Sequence, residues 1–261
     1  IYIIHLYYTA YKNKLLPEIS LKNGNVASKK LKTLISSGIW NSVTRIGDIL
    51  SSGLDLLITN LMIGPTEMGI LAIVKTIPNL IGSALNSLVS VFMPNMTKLY
   101  AEEKKEEFIA YIKKAMKIVG TFLNLPILCV IVLGDVLFKL WFPSQDSMLL
   151  QVLSIISISP WIIIGPVSIM HNIFTVVNKI KVNSILICVT GILNVFIVYI
   201  LLKTTSLGIF AVTMISCLLS ILRNLIYTLP FGAKAVGCKW YTFFPEIGRS
   251  LLATIMNVII G

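Results

Sequence analysis

The chain has 261 residues, of which 56% are hydrophobic and only 13% charged, and its mean hydropathy is +0.88. A soluble domain carries about 25% charged residues, so an ordinary water-soluble enzyme or nucleic-acid-binding domain is excluded. The net charge of +11 does not restore a nucleic-acid reading: Lys and Arg sit in short connections between apolar blocks, and no aromatic–basic interleaving is present that would stack bases.

Residues 1–11 are apolar but about half the length of a bilayer span, which needs about 20 residues. They read as the end of a preceding transmembrane helix. Residues 12–35 form a basic loop expected on the cytoplasmic side. Residues 36–261 read as a helical membrane bundle. Six apolar blocks in it are long enough to cross a bilayer: Ser37–Gly64, Met68–Pro94, Ala115–Gly134, Met148–Val177, Val182–Leu202 and Leu207–Leu229. The start at Ile1 and the apolar block that stops at Gly261 suggest a piece of a longer chain. β-Barrel strands would be about ten residues long with strict alternation. These blocks are longer and do not alternate, so the expected fold is an all-α polytopic bundle whose helices satisfy their own backbone hydrogen bonds.

Lysine and arginine counting sets the expected topology. Alternate connections hold 17 basic residues, and the connections between them hold only Lys139 and Lys203. The rich side is expected in the cytoplasm of a bacterial cell membrane. The stretch Met96–Lys117 reads as a charged amphipathic helix on that surface, with binding of anionic headgroups as its minor reading. Trp141, Phe138 and Phe142 near Pro143 read as aromatic anchors of an interfacial hairpin on the other side. Pro160 and Pro166 flank "WIIIG" and should break or bend the fourth block.

The first block carries the sharpest chemical signal. Projected at about 100° per residue, Asn41, Ser42, Thr44, Arg45, Asp48, Ser51, Ser52, Asp55, Thr59 and Asn60 fall on one half of the helix. A spanning helix with a polar side should turn it to water or to a polar partner. Arg45, Asp48 and Asp55 each cost about 2.5–3.5 kcal/mol at a helix centre on insertion scales. They are tolerated where the site is wet or the charges pair, and Arg45 and Asp48 are spaced to pair on one helix. In the second block Lys75, Asn79, Gly82, Ser83, Asn86 and Ser90 form one stripe. Two cations at membrane depth suit an anionic ligand. Arg223 reads as snorkelling to the surface and His171 as a packing residue.

No enzyme constellation is visible. The two histidines make no metal site, no nucleotide-binding glycine pattern occurs, and no cofactor is expected. The four cysteines show neither zinc nor disulfide spacing.

The stretch "SGIWNSVTRIGDILSSGLDLLITNLMIGPTEMGILAIVKTIPNLIGSALNSLVSVFMPNMTKLYAE" resembles bacterial polysaccharide flippases of the multidrug/oligosaccharidyl-lipid/polysaccharide transporter superfamily. The resemblance is densest over Ser36–Glu107 and continues as loop rhythm and helix count to Ile260. It implies two helix bundles around a cavity that opens alternately to either side. This chain would supply the end of the first bundle and most of the second. It implies a substrate of undecaprenyl-pyrophosphate-linked oligosaccharide for surface polysaccharide. Arg45 and Lys75 become candidate headgroup contacts, and Asn79, Ser83 and Asn86 candidate sugar contacts. Asp48 and Asp55 would hold Arg45 or couple a proton or sodium ion. The remaining partners are membrane lipid and the missing first bundle. The competing readings are a cation-coupled multidrug exporter of the same superfamily and a peptidoglycan-precursor flippase; a membrane-embedded enzyme or scaffold lacks convincing acid/base residues.

Overall fold

The structure, a computed structural model, describes residues 28–260. The expected partial helix at 1–11 and most of the basic loop at 12–35 lie outside the described residues. The chain divides into two compact units, residues 1–38 and 39–261, and the second contains everything that follows.

The described residues form helices α1 (Ser28–Asp48), α2 (Asp55–Met62), α3 (Pro65–Ala101), α4 (Lys105–Trp141), α5 (Ser147–Ile158), α6 (Trp161–Val167), α7 (Ile169–Val176), α8 (Ile180–Thr204), α9 (Ile209–Arg223), α10 (Leu229–Ala235) and α11 (Phe244–Ile260). Two π-helical turns, Ile49–Gly53 and Asn224–Thr228, join α1 to α2 and α9 to α10. Five stretches are long and apolar enough to cross a membrane: α3, α4, α5 to α7, α8, and α9 to α10. The protein is an all-α polytopic membrane bundle. The sixth expected span, Ser37–Gly64, is not one continuous helix. It is built from α1, the first π turn and α2, because three charged residues and a widened turn interrupt its apolar run.

α4 is the centre of the bundle and packs against α3, α5, α6 and α11. Its buried residues, Phe108, Ile112, Ala115, Met116, Val119, Leu123, Ile127, Val130 and Phe138 among them, recur at spacings of three, four or eight. That repeat keeps one side of a 3.6-residue helix turned inward. α8 inverts the pattern of a soluble helix. Its buried side is Asn183, Ser184, Ile187, Gly191, Asn194 and Val198, and its exposed side includes Ile185, Val189, Ile192 and Phe196. Lipid is as apolar as leucine, so small and polar residues rather than large apolar ones bring such helices together. Gly47 of α1 and Gly191 of α8 show how closely. A Cβ on Gly47 would lie 2.7 Å from the Cys188 backbone nitrogen, and one on Gly191 would lie 2.8 Å from the Gly47 carbonyl oxygen. Thr44 Oγ1 then donates to Ser184 Oγ at 2.7 Å across the same contact.

The fourth block breaks where its prolines stand. Pro160 precedes α6, Pro166 lies inside it, and α5, α6 and α7 follow as three short segments. By contrast, the expected surface helix over Met96–Lys117 is not one element. Its first half completes α3 and its second half begins α4, with a tight turn at Glu102–Lys104. Glu103 takes a left-handed φ of 57° there. The Lys104 ammonium bonds Glu102 at 2.9 Å and holds its carboxyl below the usual range. At the other end, Asp146 caps α5 by accepting from the Met148 and Leu149 amides, satisfying two donors of the first turn.

Candidate polar site within the bundle

The first π turn is the local irregularity from which the site grows. Its closing bond runs from the Leu54 amide to the Ile49 carbonyl, five residues back. Such a turn widens the helix and exposes carbonyls to partners outside it. Two of them are used at once. The Ser52 carbonyl accepts from Lys75 Nζ of α3 at 2.5 Å, and the Ser51 carbonyl accepts from Asn194 Nδ2 of α8 at 3.1 Å.

Asp55 follows immediately and is buried, with a side chain only 3% exposed. Lys75 Nζ stands 2.6 Å from Asp55 Oδ2 and its side chain is 19% exposed. Ser216 Oγ of α9 lies 3.3 Å from Asp55 Oδ2, and 3.2 Å from Asn194 Oδ1; Asn194 Nδ2 lies 3.4 Å from Asp55 Oδ1. Four helices and a π turn thus meet on one carboxylate. A buried pair of this kind holds together because removing either partner strands a charge, which costs about 3–5 kcal/mol. Its neighbouring interhelical hydrogen bonds average only about 0.6 kcal/mol each in membrane proteins.

Beside this network lies a polar cavity lined by Ser51, Thr190, Asn194, Ser216, Ser220 and Arg223, with about 190 Å³ of empty space including its mouth. The Arg223 Nε is buried without a hydrogen-bond partner. Arg223 is within electrostatic reach of Asp48 and of His171. It therefore faces the bundle interior rather than snorkelling out as the sequence suggested. His171 sits 3.4 Å from Asn183 of α8.

The residues singled out in the sequence divide into two groups. Asp55 and Lys75 meet in the buried network. Asp48 lies half-buried between Arg223 and Arg45, and none of the ion pairs among the described residues joins Arg45 to Asp48. Asn41, Arg45 and Ser52 are exposed on the first helix. Asn79, Ser83, Asn86 and Ser90 are all exposed along one stripe of α3. The serines of that stripe return their protons to their own helix, Ser83 to Asn79 and Ser90 to Ser87. That leaves their lone pairs and the asparagine amides turned outward. Asn194, Ser216 and the carbonyls of the π turn were not singled out in the sequence. Asn194 stands alone among apolar residues in "GILNVFI", and such a lone amide in a span was the available signal. Among the described residues no group of three or more His, Cys, Asp or Glu converges on a metal position, and the four cysteines are free.

No protein-family model matches the chain, and no solved structure does. The chain is 28% identical over 243 residues to "Uncharacterized membrane protein EpsK" of Bacillus subtilis (strain 168), covering 93% of this chain and 48% of that protein. It is 27% identical over 136 residues to "Capsular polysaccharide biosynthesis protein CapF" of Staphylococcus aureus, covering 51% of this chain and 34% of that protein. The chain thus spans about half the length, or less, of the curated relatives it matches.

Proposed function

This multi-pass membrane protein is similar to one named for capsular polysaccharide biosynthesis, and we propose that the full-length chain is a transporter for that process. Its cargo is a polyprenyl-pyrophosphate-linked oligosaccharide, carried from the cytoplasmic to the outer leaflet by alternating access of a polar cavity. The observation that carries this reading is the exposed stripe of Asn79, Ser83, Asn86 and Ser90 on a helix long enough to span the bilayer. Amides and hydroxyls cost free energy against acyl chains, so the stripe belongs against water and a polar ligand. Sugar hydroxyls match it in chemistry. The other half of the cavity would come from a bundle that this chain does not contain.

Arg45, exposed on α1, takes the role of pyrophosphate contact; a guanidinium offers paired donors to phosphate oxygens. Lys75 borders the stripe but spends its charge on Asp55. It reaches an anionic headgroup only by leaving that carboxylate. A cationic drug would find Asp55 already neutralised, which disfavours the multidrug-exporter reading. Transport of this kind needs no bond-making residue. Asp48 and Asp55 remain the candidates for coupling to a proton or sodium gradient.

A flipping assay tests the proposal. The full-length protein is reconstituted into liposomes with a fluorescent polyprenyl-pyrophosphate oligosaccharide, and its exposure to an external quencher or glycosidase is followed. Wild type should translocate the lipid, and Arg45→Ala should lose at least about tenfold in rate, one such charge-assisted contact. Arg45→Lys should retain more. Equal rates for wild type and protein-free liposomes would remove the transport reading. Equal rates for wild type and Arg45→Ala would remove Arg45 from the headgroup.

A further inference from the structure

The segment joining α10 to α11, residues 236–243, meets the first turns of α4 at the lysine-rich end of the bundle. Gly237 turns there with φ +70°, and its carbonyl accepts from Lys105 Nζ at 3.0 Å. Cys238, half-buried, sits within electrostatic reach of both Lys105 and Lys113, which oppose the upward push of burial on its thiol. Next in sequence, Lys239 Nζ stands 5.8 Å from the Tyr241 ring centre. Trp240 packs edge-on against Tyr241 and Phe244, with centroids 5.6 Å apart in both cases. Trp240 and Tyr241 are nonetheless 54% and 48% exposed.

Three features of this corner converge. Its depth is fixed by its neighbours: the α4 span starts at Lys105 and the α9 to α10 span ends at Ala235, so the corner lies at the level of lipid headgroups. Exposed Trp and Tyr are the side chains that favour that level, with an apolar body and a polar edge. The ammonium groups are also uncommitted. Glu102 is taken by Lys98 and Lys104, and Glu246 by Arg249; none of the ion pairs among the described residues includes Lys105, Lys113 or Lys239. A phosphodiester at this depth would meet three ammonium donors beside an aromatic ledge that can carry its acyl chains.

We propose that the corner formed by Lys105, Lys113, Lys239, Trp240 and Tyr241 is a binding site for one anionic phospholipid, distinct from the polar face of α3. The lipid's phosphate lies among the three lysines, and its glycerol and upper acyl chains lie along Trp240 and Tyr241. The site does not depend on what the protein carries.

Native mass spectrometry of the full-length protein, purified from mixed phosphatidylglycerol and phosphatidylcholine, tests it. Wild type should retain phosphatidylglycerol in preference to phosphatidylcholine. The triple Lys105→Gln, Lys113→Gln, Lys239→Gln should lose that preference by about tenfold or more, given the contribution of each lysine near an anionic surface. The charge-matched triple Lys98→Gln, Lys114→Gln, Lys117→Gln should keep it, and Lys→Arg changes at the first three positions should too. Equal loss in both glutamine triples would mean a diffuse positive surface and would overturn the site. Displacement of the lipid by soluble glycerol phosphate would overturn the lipid assignment. Should the glutamine triple not fold, a variant retaining Trp240 as its only tryptophan decides: brominated phosphatidylglycerol must quench it more strongly than brominated phosphatidylcholine, and equal quenching would refute the proposal.

Discussion

At the scale of single residues, the decisive feature is which charges meet. On an ideal helix, Arg45, Asp48 and Asp55 share a side, and the simplest pairing is Arg45 with Asp48, three residues apart. The structure instead joins Asp55 to Lys75 of another helix and sets Asp48 near Arg223. The π turn supplies the reason. It advances the chain by an extra residue without an extra turn, which rotates everything after Gly53 relative to the projection. Asp55 is carried inward while Arg45 stays exposed. A pattern of residue types does not reveal such a shift in phase. The pairing makes a prediction. Asp55→Ala should destabilise the folded protein by about 3–5 kcal/mol, since it strands the Lys75 ammonium. Adding Lys75→Met should recover most of that loss. Thermal unfolding in detergent checks both; a double variant no more stable than Asp55→Ala would refute the pairing.

At the scale of helices, much of the architecture was readable because lipid imposes strict rules. Block length gave the spans, and the prolines at 160 and 166 gave the break between α5 and α7. The asparagine and serine stripe of α3 lies on one side, as its spacing indicated, because α3 contains no π turn to rotate it. Contacts between helices far apart in sequence were not readable. The close approach of α1 and α8 depends on Gly47 and Gly191 facing each other, and nothing in either local sequence names the partner. Arg223 was misread for a similar reason: its distance from Pro230 suggested a helix end, whereas a second π turn continues the chain past it. Gly191→Leu should force α8 away from α1 and cost about 1–3 kcal/mol as overpacking. Gly69→Leu should cost far less, because a Cβ there meets nothing within 4 Å. Comparing the two melting temperatures tests the contact, and equal shifts would contradict it.

At the scale of the whole molecule, the charge asymmetry of the connections and the placement of the polar stripe make separate claims. The asymmetry predicts sidedness. In a cysteine-free background of the full-length chain, a cysteine at Gln145 should react with an impermeant thiol reagent added outside intact cells. A cysteine at Glu103, in the turn between α3 and α4, should react only after the membrane is opened. The reverse result would invert the orientation. Both positions are exposed at chain turns, so burial does not confound the comparison.

The placement of the stripe is what the transport reading depends on. The full-length protein also contains a half that this chain lacks, so exposure here has to be read in the assembled molecule. Single cysteines at Asn79, Ser83, Asn86 and Ser90, and for comparison at Leu80 and Val91 on the adjoining exposed side of α3, can be titrated in membranes with a small charged thiol reagent. The account predicts rapid reaction at the four polar positions, slowed by added lipid-linked oligosaccharide, and little or none at Leu80 and Val91. Unreactive cysteines along the polar stripe, or equal reactivity around the helix, would contradict the aqueous route.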